Sequence, residues 1–437
     1  MSKPSQRPVR TALAAALLAA LPGFAQAARI DYEVGASVLQ SDNIALADTG
    51  EQDETVVMPQ LAFGITQAGS RLQLNAAGRL QYLDYRDDTF DDGLRGSFSG
   101  QALWTLLPER LEWAFDDYLA RQPIDTLQSF NPDNEQQVNY FITGPSLYVR
   151  MGAATRGQFD LRYSTSYAED FREFDSDRYN AAARILRDLD PTRTISANVE
   201  ATRVEYDRAP TNVDYTRYDG YARYTSRFRD FDLNLDLGAS RLEFEEGGEG
   251  SWEPLFRGDL TWRASARSKL DAVLSYGFSD AAEDMVRSRI VGGIPGPDVD
   301  VGDPTVAITP SVFKQRRLEL GYAFTGERFG LQVRPFYQRV GYVDATALDE
   351  KSWGGLLEAT YKITPRMTLG ATAAYTDRRY EDLTRRDRDG YFNIALENRF
   401  TRNWSASIAL QRSQRNSTAT GQDFEENAAI VSFSYRR

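Results

Sequence analysis

Neither cysteine nor histidine occurs anywhere in this 437-residue chain. The first absence excludes disulfides, thiolate nucleophiles and a lipid-modified cysteine, so the fold must hold by hydrogen bonding and packing alone. The second removes the commonest general base and metal ligand, and with them His-based zinc sites and serine–histidine catalysis. Long hydrophobic runs are also lacking after residue 30, where no helical stripe, linker or low-complexity tract stands out. What remains is rich in aromatics, with 23 Tyr, 23 Phe and 6 Trp, yet the mean hydropathy is only −0.50.

The one apolar run lies at the start. Lys3, Arg7 and Arg10 precede Thr11–Leu21, Pro22-Gly23 breaks the run, and Ala25-Gln26-Ala27 offers small residues for cleavage. This is the plan of a secretory signal peptide, and the run is too short for a membrane-spanning helix. The reading is a signal peptide over 1–27, rather than an uncleaved anchor, and one domain over 28–437. Removing three of the 51 basic residues leaves 48 against 63 acidic ones, a net charge of −15. That balance argues against a nucleic-acid partner.

Periodicity sets the fold class. In Phe231–Ser240, Phe231, Leu233, Leu235, Leu237 and Ala239 alternate with Asp232, Asn234, Asp236, Gly238 and Ser240. The same alternation runs through 72–82, 367–376 and 404–411. Successive side chains of a strand point to opposite faces, so each segment has an oily side and a wet one. Short polar turns ending in arginine recur at Arg71, Arg110, Arg156, Arg193, Arg267, Arg328, Arg366 and Arg402, and Arg229-Asp230 fills the one gap. Most spacings are 36 to 46 residues, enough for two strands, a tight turn and a longer acidic loop. This rhythm predicts an all-β, transmembrane, antiparallel up-and-down barrel of about 20 strands, with 18 as the alternative count. All six tryptophans fall on the oily face near strand ends, as an interfacial girdle requires; core tryptophans of a soluble sandwich are the alternative. Pro59 and Pro335 interrupt strands and predict bulges.

Charges of both signs cannot face lipid, so the wet face should line a lumen. By alternation it holds Arg79, Glu112, Asp116, Arg162, Glu200, Asp232, Asp236, Arg257, Asp259, Arg263, Arg334, Glu358, Lys362 and Glu397. These charges either tune transport or brace an inert wall. Glu112 with Asp116, and Asp232 with Asp236, are carboxylate pairs of the kind glycoside cleavage needs, but a solvated pore wall accounts for them and is the reading taken. Asp298, Asp300 and Asp303 offer hard oxygen ligands without the terminal glutamate of a calcium loop. The sequence therefore predicts no enzyme, no cofactor and no metal site. Arg267 to Arg328 spans 61 residues against 38 for the neighbouring hairpin. Folded inward, the segment 281–310 would constrict the lumen with Asp298, Asp300 and Asp303; folded outward, it would be a surface cap.

The opening strand Ile30–Gln40, running into Ser41-Asp42-Asn43-Ile44, resembles the start of a β-barrel porin family found beside exopolysaccharide biosynthesis genes. Members also occur with the exosortase and PEP-CTERM sorting system. The rhythm of a turn arginine opening a strand that ends near a tyrosine is similar too, as in Arg156 to Tyr167, Arg193 to Tyr206 and Arg366 to Tyr380. The resemblance implies an outer-membrane role in polysaccharide export and carries no site residues across. Two other functions fit the residues: a general diffusion porin for small solutes, and a non-conducting structural or adhesive barrel. A TonB-dependent receptor fits less well, because the first strand begins close to the cleavage point. The expected partners are outer-membrane lipid and lipopolysaccharide, the barrel-assembly machinery during insertion, and a polysaccharide. The expected location is the Gram-negative outer membrane.

Overall fold

The computed structural model describes residues 28–207, 214–245, 250–292, 309–343 and 346–437. Twenty strands of 12 to 16 residues follow one another in the chain. The first seven are β1 (Arg29–Ser41), β2 (Glu54–Ala68), β3 (Leu72–Tyr85), β4 (Gly93–Leu107), β5 (Leu111–Pro123), β6 (Glu135–Arg150) and β7 (Thr155–Ala168). Next come β8 (Ser176–Asp190), β9 (Arg193–Tyr206), β10 (Tyr215–Arg227), β11 (Phe231–Phe244), β12 (Ser251–Trp262) and β13 (Ser268–Ser279). A single α-helix among the described residues, α1 (Ala281–Gly292), precedes β14 (Phe313–Thr325). The chain finishes with β15 (Phe329–Tyr342), β16 (Glu350–Thr364), β17 (Met367–Tyr380), β18 (Arg386–Arg399), β19 (Trp404–Ser417) and β20 (Phe424–Arg436).

Each strand pairs antiparallel with the next, and β1 pairs with β20 from Glu33↔Arg436 to Ser41↔Ala428, so the sheet closes. Closure leaves no free edge, the condition for a sheet to stand in hydrocarbon. No described helix is long and apolar enough to cross a membrane. The strands exceed the roughly 9–11 residues that a bilayer requires.

The alternation decides which way each side chain points. Leu80, Leu161, Val199, Leu237, Leu357, Ile408 and Val431 are exposed on the outer face. Five tryptophans join them: Trp104, Trp262 and Trp404 beside short turns, Trp252 and Trp353 beside longer loops. Trp113 shares that face opposite Trp104, half-buried, its Nε1 donating to Thr143 Oγ1 at 2.8 Å. An apolar wall bounded by two aromatic rings is the exterior of a membrane barrel.

The expected bulges at Pro59 and Pro335 do not form. The β2–β3 ladder breaks between Val57↔Asp84 and Gln60↔Gln81, and the β14–β15 ladder between Glu319↔Phe336 and Tyr322↔Val333. Both partners skip two residues, so the register survives. On its other side each proline stays in register, opposite Ala36 and Gly355. Pro145 behaves alike between β6 and β7. A residue's N–H serves only one neighbouring strand, so its loss opens one seam and needs no extra residue. The register shifts lie instead beside short turns, at Thr105/Leu107, Asp188/Asp190 and Lys362/Thr364.

Candidate functional site: a plugged lumen

The largest departure from a plain barrel follows β13. Its pairing with β12 stops at Phe256↔Tyr276, although both strands continue. Gly277 has φ +155°, a conformation a side chain would resist, and there β13 parts from β12 while staying paired with β14 as far as Ser279↔Phe313. Phe278 and Val312, at the two ends of the β13–β14 connection, pack with Val204, Tyr206, Tyr215 and Leu242 on the inner face of β9–β11. Farther along, Ala281, Ala282 and Met285 of α1 pack against Tyr118, Ala120, Val138, Tyr140 and Ala168 of β5–β7 and against Phe174. The described ends of the connection therefore lie in the lumen and dock on the wall of other strands.

Polar clamps fix it there. Asp280 caps α1, accepting from the amides of Ala282 at 3.0 Å and Glu283 at 3.1 Å. Its other oxygen takes Arg178 Nη1 at 2.7 Å and the Tyr215 hydroxyl at 2.6 Å. Arg178 is 2% exposed and Asp280 0%, so this is an ion pair out of contact with water. Burial pushes the Asp280 carboxyl up, but the Arg178 charge and the hydrogen bonds outweigh it and hold the group down to about 2. Arg217 grips Glu283 with both Nη atoms, at 3.1 and 2.6 Å, and turns Nε to Asp219. Gln315 Nε2 donates to Asp284 at 2.7 Å. Three carboxylates of the plug thus meet four polar side chains from β8, β10 and β14.

The fourteen residues of the wet face all lie on the side opposite the exposed apolar residues, judged by strand parity. Several are brought together. Asp236 takes Arg223 at 2.6 Å and lies 3.9 Å from Arg257. Glu200 takes Arg184 at 2.9 Å and the Tyr221 hydroxyl at 2.7 Å. Arg162 donates to Ser146 and lies 3.6 Å from Asp160, which also binds Arg184. Asp232 pairs with Arg263, and Glu112 accepts from the Tyr148 hydroxyl at 3.1 Å. Glu397 pairs with Arg399 at 3.0 Å. Arg79, Asp116, Asp259, Arg334, Glu358 and Lys362 stand on the same face. The wall of β7–β12 is therefore a chain of alternating charges in which Asp232 and Asp236 each hold an arginine, whereas Glu112 and Asp116 lie on β5, outside that stretch.

Asp298, Asp300 and Asp303 lie outside the described residues, as do residues 1–27. No cluster of three or more acidic side chains suited to a metal occurs among the described residues. Sequence reasoning raised an inward fold of 281–310 as one of two alternatives but missed the helix within it and the clamps Arg178, Arg217, Asp280 and Glu283. One signal was present: Asp280-Ala-Ala-Glu283 ahead of Met285-Val286 has the spacing of a helix-starting capping box.

In sequence, residues 355–437 match the family described as "Putative beta-barrel porin 2". No protein of established function matches the chain in sequence. Among solved structures the barrel is similar to a mutant of the ferric enterobactin receptor PfeA from Pseudomonas aeruginosa. That pair has 10% identity and a TM-score of 0.46, covering 93% of this chain and 80% of the receptor. It is also similar to the FrpB iron transporter of Neisseria meningitidis, at 9% identity and TM-score 0.47 over 93% and 82% of the two chains. A third is OccK2 (OpdF) of Pseudomonas aeruginosa, at 12% identity and TM-score 0.39 over 95% and 99%. The apolar exterior with its aromatic rings and the porin description of the matched family point to the outer membrane.

Proposed function

We propose that this protein is an outer-membrane channel for polar solutes, gated by the segment between β13 and β14. The clamped plug carries the reading: a wall of paired charges needs no helix to brace it, yet Arg178 and Arg217 are committed to holding one in the lumen. Barrels of about 16–18 strands leave an open aqueous channel and those of about 22 are plugged, so a 20-stranded lumen is wide enough to need a gate. The fourteen wet-face residues are its lining. Asp298, Asp300 and Asp303 would add negative charge to the gate and favour cations. Residues 1–27 direct export and are removed, leaving the barrel domain 28–437 for the assembly machinery.

A narrower form of this reading, export of an extracellular polysaccharide, rests on the family resemblance of the opening strand and the hairpin rhythm. It requires the plug to move further, because a polymer needs the full bore. Single-channel recording in planar bilayers tests the gate. Arg217→Gln, and separately deletion of Val291–Val301, should raise conductance or open probability, and the deletion should also weaken cation preference. Unchanged currents in both would leave a non-conducting or ungated barrel.

A further inference from the structure

Charge on the outer face is unevenly placed. Following the register from β14, Arg316 lies opposite Arg339, Arg339 opposite Lys351, Lys351 opposite Arg379, and Arg379 opposite Arg386. Five basic side chains therefore stand abreast on five adjacent strands. By parity they share the outward face of Leu318, Tyr337, Trp353, Tyr375 and Phe392, which are exposed. With strands about 4.8 Å apart, the row is roughly 19 Å wide.

Like charges directly opposite one another in a sheet are destabilising, so such a row costs the barrel stability. Two carboxylates offset part of it. Glu381 takes Arg339 at 2.9 Å and also Lys351, and Asp377 takes Arg386 at 2.5 Å and lies 3.6 Å from Arg388. Arg316 and Arg379 are exposed and form no direct ion pair among the described residues, their nearest carboxylates, Glu253 and Asp377, acting on them only at longer range; Arg316 lies over the Tyr276 ring at 5.1 Å. Elsewhere on this rim, outward arginines sit beside a carboxylate, as in Arg241–Glu243, Arg203–Glu205 and Arg412–Glu425. The cationic row is a local feature of a chain whose net charge is −12.

Its depth identifies the occupant. Nearer the membrane centre lie Tyr337 and Trp353, one outward position from the row, and Tyr375, two positions from it, and such aromatic belts mark the headgroup level. We propose that the row Arg316–Arg339–Lys351–Arg379–Arg386 binds the phosphates of an outer-leaflet lipid whose acyl chains lie on the aromatic and aliphatic surface below. Guanidinium forks match phosphate oxygens in pairs, and a row this wide spans more than one phosphate. A free phosphate would gain nothing from the apolar surface beneath. The site rests on the outer-membrane reading given above.

The test uses the full-length barrel folded into phosphatidylcholine vesicles with or without diphosphoryl lipid A, then native mass spectrometry of bound lipid A. Wild type should retain lipid A, and millimolar inorganic phosphate should not displace it. Arg316→Gln with Arg379→Gln should weaken retention about tenfold or more, since two charge-assisted contacts are lost. The control Arg241→Gln with Arg412→Gln should retain lipid A as wild type does. Equal retention by the row variant, equal loss in the control, or displacement by free phosphate each overturns the site. Failure of wild type to enter either vesicle would instead overturn the membrane reading and take the site with it.

Discussion

A single position shows how strictly the face of a strand sets the tolerance of the barrel. Leu235 lies on the outward face of β11 between Tyr224 and Gly258, whereas Asp232, three residues earlier, points inward and pairs with Arg263. Leu235→Arg should cost about 2–4 kcal/mol, lowering the folded fraction recovered in vesicles and the urea midpoint. Asp232→Leu removes a half-exposed ion pair and should cost less than about 1 kcal/mol. Equal losses would mean that the two faces are reversed. Asp280 is the opposite case, a charge that cannot be spared. Asp280→Asn leaves Arg178 buried without its counter-charge and should weaken plug docking by about 3–5 kcal/mol. In this cysteine-free chain, a cysteine placed by Ala282→Cys reports docking through its rate of maleimide labelling. That rate should rise at least about a hundredfold with Asp280→Asn. Arg178→Met with Asp280→Leu should raise it far less, because no charge is then stranded. The pH dependence follows in sign. The Asp280 carboxyl is held below its ordinary 3.8, so its contribution is fully present above that value and is lost as pH falls towards about 2. Closed-state current should stay flat from neutral pH to about 4 and rise below it.

At the scale of elements, the strands were legible because their signal has period two and repeats in every hairpin. Leu233, Leu235 and Leu237 against Asp232, Asn234 and Asp236 fix the faces of β11 without any tertiary information. The tight turns add the count of twenty. The length of the 281–310 segment left an inward plug and an outward cap both open; the helix and its docking partners were not legible, for a different reason. The helix is short and half apolar without a clear stripe, and its partners are distant: Arg178 meets Asp280 across 102 residues, Arg217 meets Glu283 across 66. On strands read singly, Arg178 and Arg217 are ordinary wet-face arginines, and only closure of the barrel brings them to α1. The rooting of the plug leaves a mark on the wall. Ser251–Leu255 of β12 lose their partner where β13 parts from β12 at Gly277, and side chains cross the gap, Glu253 to Lys314 at 2.6 Å and Tyr276 to Glu253 at 2.7 Å. Alternate amides within Ser251–Leu255, those not directed at β11, should therefore exchange with deuterium faster than amides of Phe256–Trp262. Uniform protection along β12 would show that the seam is closed in solution.

The whole molecule depends on one contact that no local pattern supplies, the return of β20 to β1. Nine residue pairs hold it, from Glu33↔Arg436 to Ser41↔Ala428, reinforced where the Ser37 and Ser432 hydroxyls meet at 2.9 Å and where Ser41 donates to Glu426 at 2.7 Å. Nineteen other seams join neighbours in sequence and can form locally, but this one closes a loop of nearly the full chain. Until it forms, β1 and β20 each present unpaired N–H and C=O groups that hydrocarbon cannot satisfy. Once it forms there is no edge from which the sheet can fray, and unfolding must break the ring at once. The protein should therefore run at different positions on a detergent gel before and after boiling, with circular dichroism of the unboiled form dominated by β structure. Removing Phe424–Arg437 takes away β20 and leaves β1 and β19 as edges, so the truncated chain should lose the unboiled band and aggregate or stay unfolded. A truncated chain that kept the heat-sensitive band would show that β19 can close on β1, and that the closing strand is dispensable.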